Sequence, residues 1–380
     1  MKRLLLLLLA GAGLWLAACS PLTAVSTSTS LSDRLVAPGG VSTLLDTPRI
    51  EAAVESVPNR HGYVTGRAGV PLFWRAFDPG QYGLRYQYLA QPHDNGLPLQ
   101  TGLQLALPTP FQPQAPRGTV VLLHGWMMNG DAMLPWSLQL AQAGYRVVTI
   151  DLRNHGHSGA GPSGYGTFES DDVIDVIDAL QERDEVVGPL YLFGVSYGAA
   201  TALFAADKLG DRVTGVVAME SFANAGDAIR SMIPHLMSLQ PSGWKAQAIA
   251  SYARWRYGGQ NLDQVIAAAS QRLAVDLDAV DVSRALADTR ACVLLLHGQD
   301  DQHVRVDQGR RLAAASARAH YIEMRGEDHI TLPLRLDLLG GVVDEWLAHD
   351  AHAGAHCPTP AVPREADRLA MAKVEGARRG

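Results

Sequence analysis

The chain has 380 residues, 47% hydrophobic and 18% charged, which is enough apolar material to bury the core of one full-sized globular domain. Its 32 basic against 38 acidic residues leave a net charge of −6, which does not suggest nucleic-acid binding, and cysteine usage is sparse, with three in all. From the N-terminus, Met1-Lys2-Arg3 supplies a basic start and Leu4 to Leu16 an apolar run, followed by small residues, a pattern that reads as an export signal. The fifteen residues Leu4 to Ala18 are short for a bilayer span, and losing Lys2 and Arg3 with the signal takes the charge from −6 to −8.

Leu16-Ala17-Ala18-Cys19 resembles the lipobox of bacterial lipoproteins, in which small side chains admit the peptidase and the cysteine thiol takes a diacylglyceryl chain. The resemblance implies a signal peptide over residues 1–18 and lipidation at Cys19. Several acyl chains anchor stably where one does not. Ser20, with no aspartate in second place, resembles lipoproteins forwarded to an outer membrane, so the expected location is the bacterial cell envelope, lipid-anchored and facing the periplasm. Ser and Thr enrichment after Leu22 predicts a flexible tether, with 19–40 assigned to it.

A globular domain is then expected over 41–350. Val41 to Val57 reads as helix. Leu84 to Leu89 and Leu103 to Leu107, separated by Asp94-Asn95-Gly96, read as an antiparallel pair at a sheet edge. Thr119 to Leu123, Arg146 to Asp151, Leu190 to Phe193, Val213 to Met219, Cys292 to Leu296 and His320 to Met324 are apolar runs that predict parallel strands with helices between them. Gly194-Val195-Ser196-Tyr197-Gly198 spells G-x-S-x-G between such a strand and the helix-like Ala199 to Leu209. That is the setting of a nucleophile elbow, where glycines must flank a serine held on a tight turn.

About 70 residues separate the strand ending near Met219 from the one starting at Cys292, too many for a simple crossover, and 221–290 reads as a helical lid. Met232, Met237, Trp244, Tyr252, Trp255 and Tyr257 within it read either as the lining of an acyl or aromatic pocket or as packing of lid helices. Leu338 to Ala348 predicts a closing helix, and 351–380, rich in Ala, Gly, Pro and charge, a poorly ordered tail.

Taken together, these motifs over roughly residues 60 to 350 resemble the α/β-hydrolase superfamily, and the fold implied is a mostly parallel sheet flanked by helices with a helical lid insertion. His124-Gly125-Trp126 looks like the oxyanion turn. Asp151 to Ser158 looks like the D-x-R-G-H-G-x-S segment, with Asn154 where glycine is usual. The order Ser, Asp, His is that of the superfamily, which implies Ser196 as nucleophile, His329 as general base and acid, and an aspartate between them. Asp301 and Asp300 compete for that place; the family spacing G-x-x-D-x-x-V from Gly298 to Val304 favours Asp301. The backbone N–H groups of Tyr197 and Trp126 are the implied oxyanion donors.

The function implied is a serine hydrolase acting on a carboxylic ester, with a small acyl substrate, no cofactor, no metal and no nucleic-acid partner. The G-V-S-Y-G box also occurs in peptidases of the superfamily, and a non-catalytic envelope lipoprotein is the reading from a different class. His124 and His297 read as matching strand ends, and His155 and His157 as turn residues. Asp171-Asp172 reads as the start of a helix capped by Thr167. Gly159 to Gly164 matches G-x-G-x-x-G, but seven residues separate it from the strand and Pro162 occupies the turn, against a dinucleotide site. The histidines near Cys357 do not require a metal. A Cys292–Cys357 bridge is chemically allowed outside the cytoplasm but disfavoured, since one cysteine reads as buried in a strand and the other as lying in the tail.

Overall fold

The computed structural model describes residues 30–37, 47–89, 100–108, 110–241, 243–350 and 357–360. The candidate signal peptide and Cys19 lie outside them.

The chain enters through α1 (Leu31–Val36) and α2 (Thr47–Glu55), then forms an antiparallel pair, β1 (Arg60–Thr65) and β2 (Pro71–Phe77). After β3 (Arg85–Leu89) and β4 (Gln100–Gln104) come β5 (Thr119–Leu123), α3 (Leu134–Gln142), β6 (Arg146–Ile150), α4 (Thr167–Gln181), β7 (Leu190–Val195) and α5 (Tyr197–Leu209). β8 (Gly215–Met219) leads into α6 (Ala225–Ser238), α7 (Trp244–Tyr257), α8 (Leu262–Leu273) and α9 (Val282–Asp288). β9 (Cys292–Gly298), α10 (Val306–Ala315), β10 (Ala319–Met324) and α11 (Leu336–Asp350) complete it.

One sheet runs in the order β1-β2-β6-β5-β7-β8-β9-β10. β1 and β2 pair antiparallel, as do β2 and β6, and every later pairing is parallel. The parallel strands can be apolar at every position because helices cover both faces, and β5, β7, β8 and β9 are buried throughout. Val121, Leu123 and Leu192 face one apolar layer shared with α4 and α5; Leu122, Tyr191 and Phe193 face the other, closed by Trp136 of α3 and Trp346 of α11. From β5 the chain steps to β6 on one side and then to β7 on the other. Such a reversal opens a crevice at the strand C-termini, and the β5 and β7 loops meet there.

The six expected parallel strands and the closing helix are present. The expected antiparallel edge pair is not where the pattern put it: β3 and β4 pair with each other as a separate two-stranded sheet, and β1 and β2 form the edge. Nor is 30–36 a tether. Ser30 caps α1 in a capping box with Asp33, and Leu31 and Leu35 are buried. Asp33 pairs with Arg272 of α8, and the Tyr165 hydroxyl donates to the Leu35 carbonyl at 2.9 Å.

A disulfide joins Cys292 to Cys357, with Cα atoms 5.4 Å apart, contrary to the expectation from sequence. After α11 the chain returns to the start of β9, so a cysteine distant in sequence reaches a strand end. The remaining tail lies outside the described residues.

Candidate active site

Ser196 sits between the last residue of β7 and the first of α5 at φ 52° and ψ −112°, outside the ordinary regions for a side-chain-bearing residue. The flanking glycines make this turn possible. A Cβ at Gly194 would lie 2.1 Å from the Gly198 carbonyl oxygen, and one at Gly198 would lie 2.2 Å from that of Leu123. The Ser196 N–H donates to the Met219 carbonyl at 2.8 Å, tying the elbow to β8.

The loops after β9 and β10 bring the other two residues in. His329 Nε2 is 2.9 Å from the Ser196 hydroxyl oxygen, and its Nδ1 is 2.7 Å from Asp301 Oδ2. Asp301 Oδ1 accepts the N–H groups of His303 at 2.7 Å and Val304 at 2.9 Å. Burial works to raise the Asp301 pKa, but the neighbouring His329 charge and hydrogen bonds from His297 and His329 hold it below the usual carboxylate range. Asp300 is exposed, and its N–H donates to the Glu327 carbonyl.

Tyr197 is the first residue of α5, so its N–H is one of the helix's unpartnered terminal donors. Trp126 follows Gly125, where an added Cβ would be 3.7 Å from Ser196 Cβ, so the two main chains lie close together beside Ser196. The Trp126 ring stacks on Tyr165 at 5.5 Å and meets Tyr197 edge-on at 4.9 Å.

The segment after β6 braces this loop. His124 Nε2 accepts the Leu152 N–H at 3.0 Å while Nδ1 donates to the Gly125 carbonyl at 2.8 Å, which fixes a neutral tautomer in agreement with the lowering of its pKa by burial. Asp151 accepts the N–H groups of Gly130 at 2.6 Å and His157 at 2.7 Å. Asn154 adopts φ 67°, which explains why glycine is usual there and why asparagine serves. His155 is buried with its pKa pushed down to about 3, chiefly by burial.

Asp171 and Asp172 need correction. Gly166, not Thr167, is the N-cap of α4, and Glu169 accepts the N–H groups of Gly164 and Gly166, each at 2.9 Å. Asp172 is buried in the second turn against Arg153, with contacts of 2.6 and 2.7 Å, and Asp171 pairs with Lys208.

Three residues at the site had no signal in the sequence. His303 stacks on His329 with centroids 5.2 Å apart, and His235 of α6 meets His303 edge-on at 4.6 Å. Burial, then the His329 and His235 charges, push the His303 pKa down to about 4. The third is Glu220, fully buried at the end of β8, whose Oε1 accepts the Gly298 N–H at 3.2 Å and whose Oε2 lies 3.3 Å from His329 Nδ1. Burial, then the Asp301 charge, push its pKa well above the ordinary carboxyl value. Glu220, Asp301 and His329 offer ligand atoms within 4.8 Å of one another, but the His329 atom a cation would take is the one directed at Asp301. Of the six large side chains singled out between β8 and β9, Trp244, Tyr252 and Trp255 are exposed, while Met232, Met237 and Tyr257 pack against the core.

A model of the alpha/beta hydrolase family matches residues 120–362. Among curated proteins the chain is similar to the uncharacterized protein YqkD of Bacillus subtilis, 28% identical over 232 residues covering 60% of this chain and 70% of that one. Over 67 residues, 17% of this chain and 24% of the other, it is 43% identical to the non-heme chloroperoxidase CPO-A1 of Kitasatospora aureofaciens. Among solved structures, esterase Pf2001 of Pyrococcus furiosus matches with a TM-score of 0.53 at 16% identity, over 81% of this chain and 96% of that one. The 2,6-dihydroxy-pseudo-oxynicotine hydrolase matches with a TM-score of 0.55 at 14% identity, over 83% of this chain and 75% of the other. At these identities the likeness is one of fold.

Proposed function

Since the chain belongs to the alpha/beta hydrolase family, we propose that it is a serine hydrolase that cleaves a carboxylic ester through an acyl-enzyme on Ser196. The observation that carries this reading is the unbroken chain from the Ser196 hydroxyl to His329 at 2.9 Å and from His329 to Asp301 at 2.7 Å. As Ser196 attacks the carbonyl carbon, His329 Nε2 takes its proton, and Asp301 holds Nδ1–H and stabilises the imidazolium. The oxyanion is held by the N–H groups of Tyr197 and Trp126, each of which contributes about 3–4 kcal/mol to barrier lowering by analogy with such donors. His329 then returns the proton to the departing alkoxide, and water repeats the cycle on the acyl-enzyme. The lid over 221–290 sets the size of the acyl group admitted.

The test is turnover of matched ester and amide chromogens, short to long acyl chain, by the protein and its Ser196→Ala variant. Ester cleavage should fall by on the order of 10⁶-fold in the variant, together with fluorophosphonate labelling. Amide cleavage would shift the reading to a peptidase or amidase, and silence without labelling would shift it to an envelope binding protein. We further place the enzyme at the bacterial cell envelope, on the outer membrane facing the periplasm, anchored through Cys19. Cys19→Ser should release it from the membrane fraction, and retention there would remove the lipid anchor from the account.

A further inference from the structure

The mechanism above leaves His235, His303 and Glu220 without a task, and of these Glu220 brings a carboxyl oxygen to 3.3 Å from His329 Nδ1. Glu220 directly follows β8, which lies between β7, carrying the nucleophile, and β9, carrying the acid loop. Its main chain is held there at φ 55°, unusual for a residue with a side chain, and its N–H donates to the Leu296 carbonyl at 2.7 Å. The carboxyl is fully buried with one hydrogen bond, from Gly298; Oε2 has no hydrogen-bond partner and lies 3.3 Å from His329 Nδ1. A carboxyl kept dry beside a second carboxyl is costly for the fold, and leucine would fill the space without that cost.

We propose that Glu220 is a reserve acid for the triad: a positioning residue that stands beside the Nδ1 edge of His329 from the adjacent strand and takes that edge over when the side chain at position 301 cannot ionise. The inference rests on the serine hydrolase reading. The groups facing Glu220 are Asp301 on the loop after β9, with His297 behind it, and Glu327, Asp328 and His329 on the loop after β10. With Asp301 held ionised by the His303 and Val304 N–H groups and by His297 and His329, a second charge on the adjacent carboxyl is disfavoured, and Glu220 keeps its proton. Replacing Asp301 by asparagine removes the nearest like charge. Glu220 then loses its proton to solvent as the pH rises, accepts Nδ1–H of His329 after closing a few tenths of an ångström, and leaves Nε2 free to act as base. The tautomer that an isolated Asp→Asn change forfeits is thereby restored.

The experiment is kcat/KM across pH 5–9.5 for the parent, Glu220→Gln, Asp301→Asn and the double variant, all intact chains. Amidating a triad acid with no substitute costs about 10⁴-fold. Asp301→Asn should instead lose about 100-fold at alkaline pH, with a limb that rises as Glu220 ionises. The double variant should lose about 10⁴-fold and show no such limb, while Glu220→Gln alone should lose less than tenfold. A merely structural Glu220 would cost the same factor in both backgrounds, and that result, or a 10⁴-fold loss in Asp301→Asn at every pH, overturns the proposal. Should Glu220→Gln not fold, Glu220→Asp in the Asp301→Asn background withdraws the carboxyl by one methylene. Loss of the alkaline limb then supports the proposal, and its persistence refutes it. Failure of the underlying reading looks different, because the parent itself would then neither turn over esters nor react with fluorophosphonate.

Discussion

Cys357→Ser should separate stability from catalysis in this protein. The bridge to Cys292 closes a loop with a sequence separation of 65 residues. A cross-link of that span removes unfolded-state entropy of roughly 2.1 + 1.5R ln 65, about 14–15 cal/mol/K, or about 4 kcal/mol at 25 °C. With a urea dependence of about 3 kcal/mol/M, the unfolding midpoint should fall by roughly 1 M or slightly more. The site should not notice. Cys292 begins β9, opposite Gly215 at the start of β8, whereas Ser196, Asp301 and His329 lie beyond the other ends of the strands. Urea unfolding followed by fluorescence, with kcat/KM of the same preparations and intact mass after alkylation without reduction, measures all three quantities. Alkylation of both thiols in the unreduced protein, or equal midpoints for parent and variant, would refute the reasoning. A matching loss of kcat/KM under native conditions would refute the claimed independence of the two ends.

Arg153→Leu leaves Asp172 buried and unpaired and should destabilise by about 3–5 kcal/mol, with much of it recovered in Arg153→Leu/Asp172→Leu, as calorimetry would show. Gly198→Ala places a Cβ 2.2 Å from one backbone carbonyl and 2.6 Å from that of His124, so β5 and α5 must part. A loss of about 1–3 kcal/mol together with a fall in kcat is expected, and an unchanged melting temperature would count against it. Asp344, half-buried with one oxygen unpartnered, has its pKa raised by burial to about 6. A carboxyl raised in the folded state contributes stability below its unfolded pKa and loses it as the pH climbs through the folded one. Between pH 4 and 7 the parent should therefore lose about 2–3 kcal/mol that Asp344→Asn does not, as paired denaturant titrations would reveal.

Uninterrupted apolar runs made the parallel strands legible, because a strand buried on both faces carries its environment in its own composition. The elbow was legible for a local reason too, since Gly194 and Gly198 are required within five residues of Ser196. β1 was not legible: Arg60-His61-Gly62-Tyr63-Val64-Thr65 is an edge strand with most side chains at least partly exposed, so no apolar alternation survives. The capping box at Ser30 and Asp33 was a readable helix start lost inside a Ser and Thr-rich stretch. Glu220, His235 and His303 come from three separate segments, and nothing local to any of them announces that they converge on His329. The disulfide was hidden in the same way, by a return of the chain after α11.

Four adjacent parallel strands, β5 to β8, are followed within four residues by Met127, Asn154, Ser196 and Glu220, four of the seven left-handed non-glycine residues among those described. At about 1–3 kcal/mol each, the floor of the cleft is held in tension by the sheet beneath it. Selection for heat resistance alone would release that tension, and glycine is the simplest release at each position. At Asn154 the exchange removes only a turn side chain, whereas at Ser196 it removes the proposed nucleophile. Directed evolution of this scaffold therefore needs a turnover readout at every round.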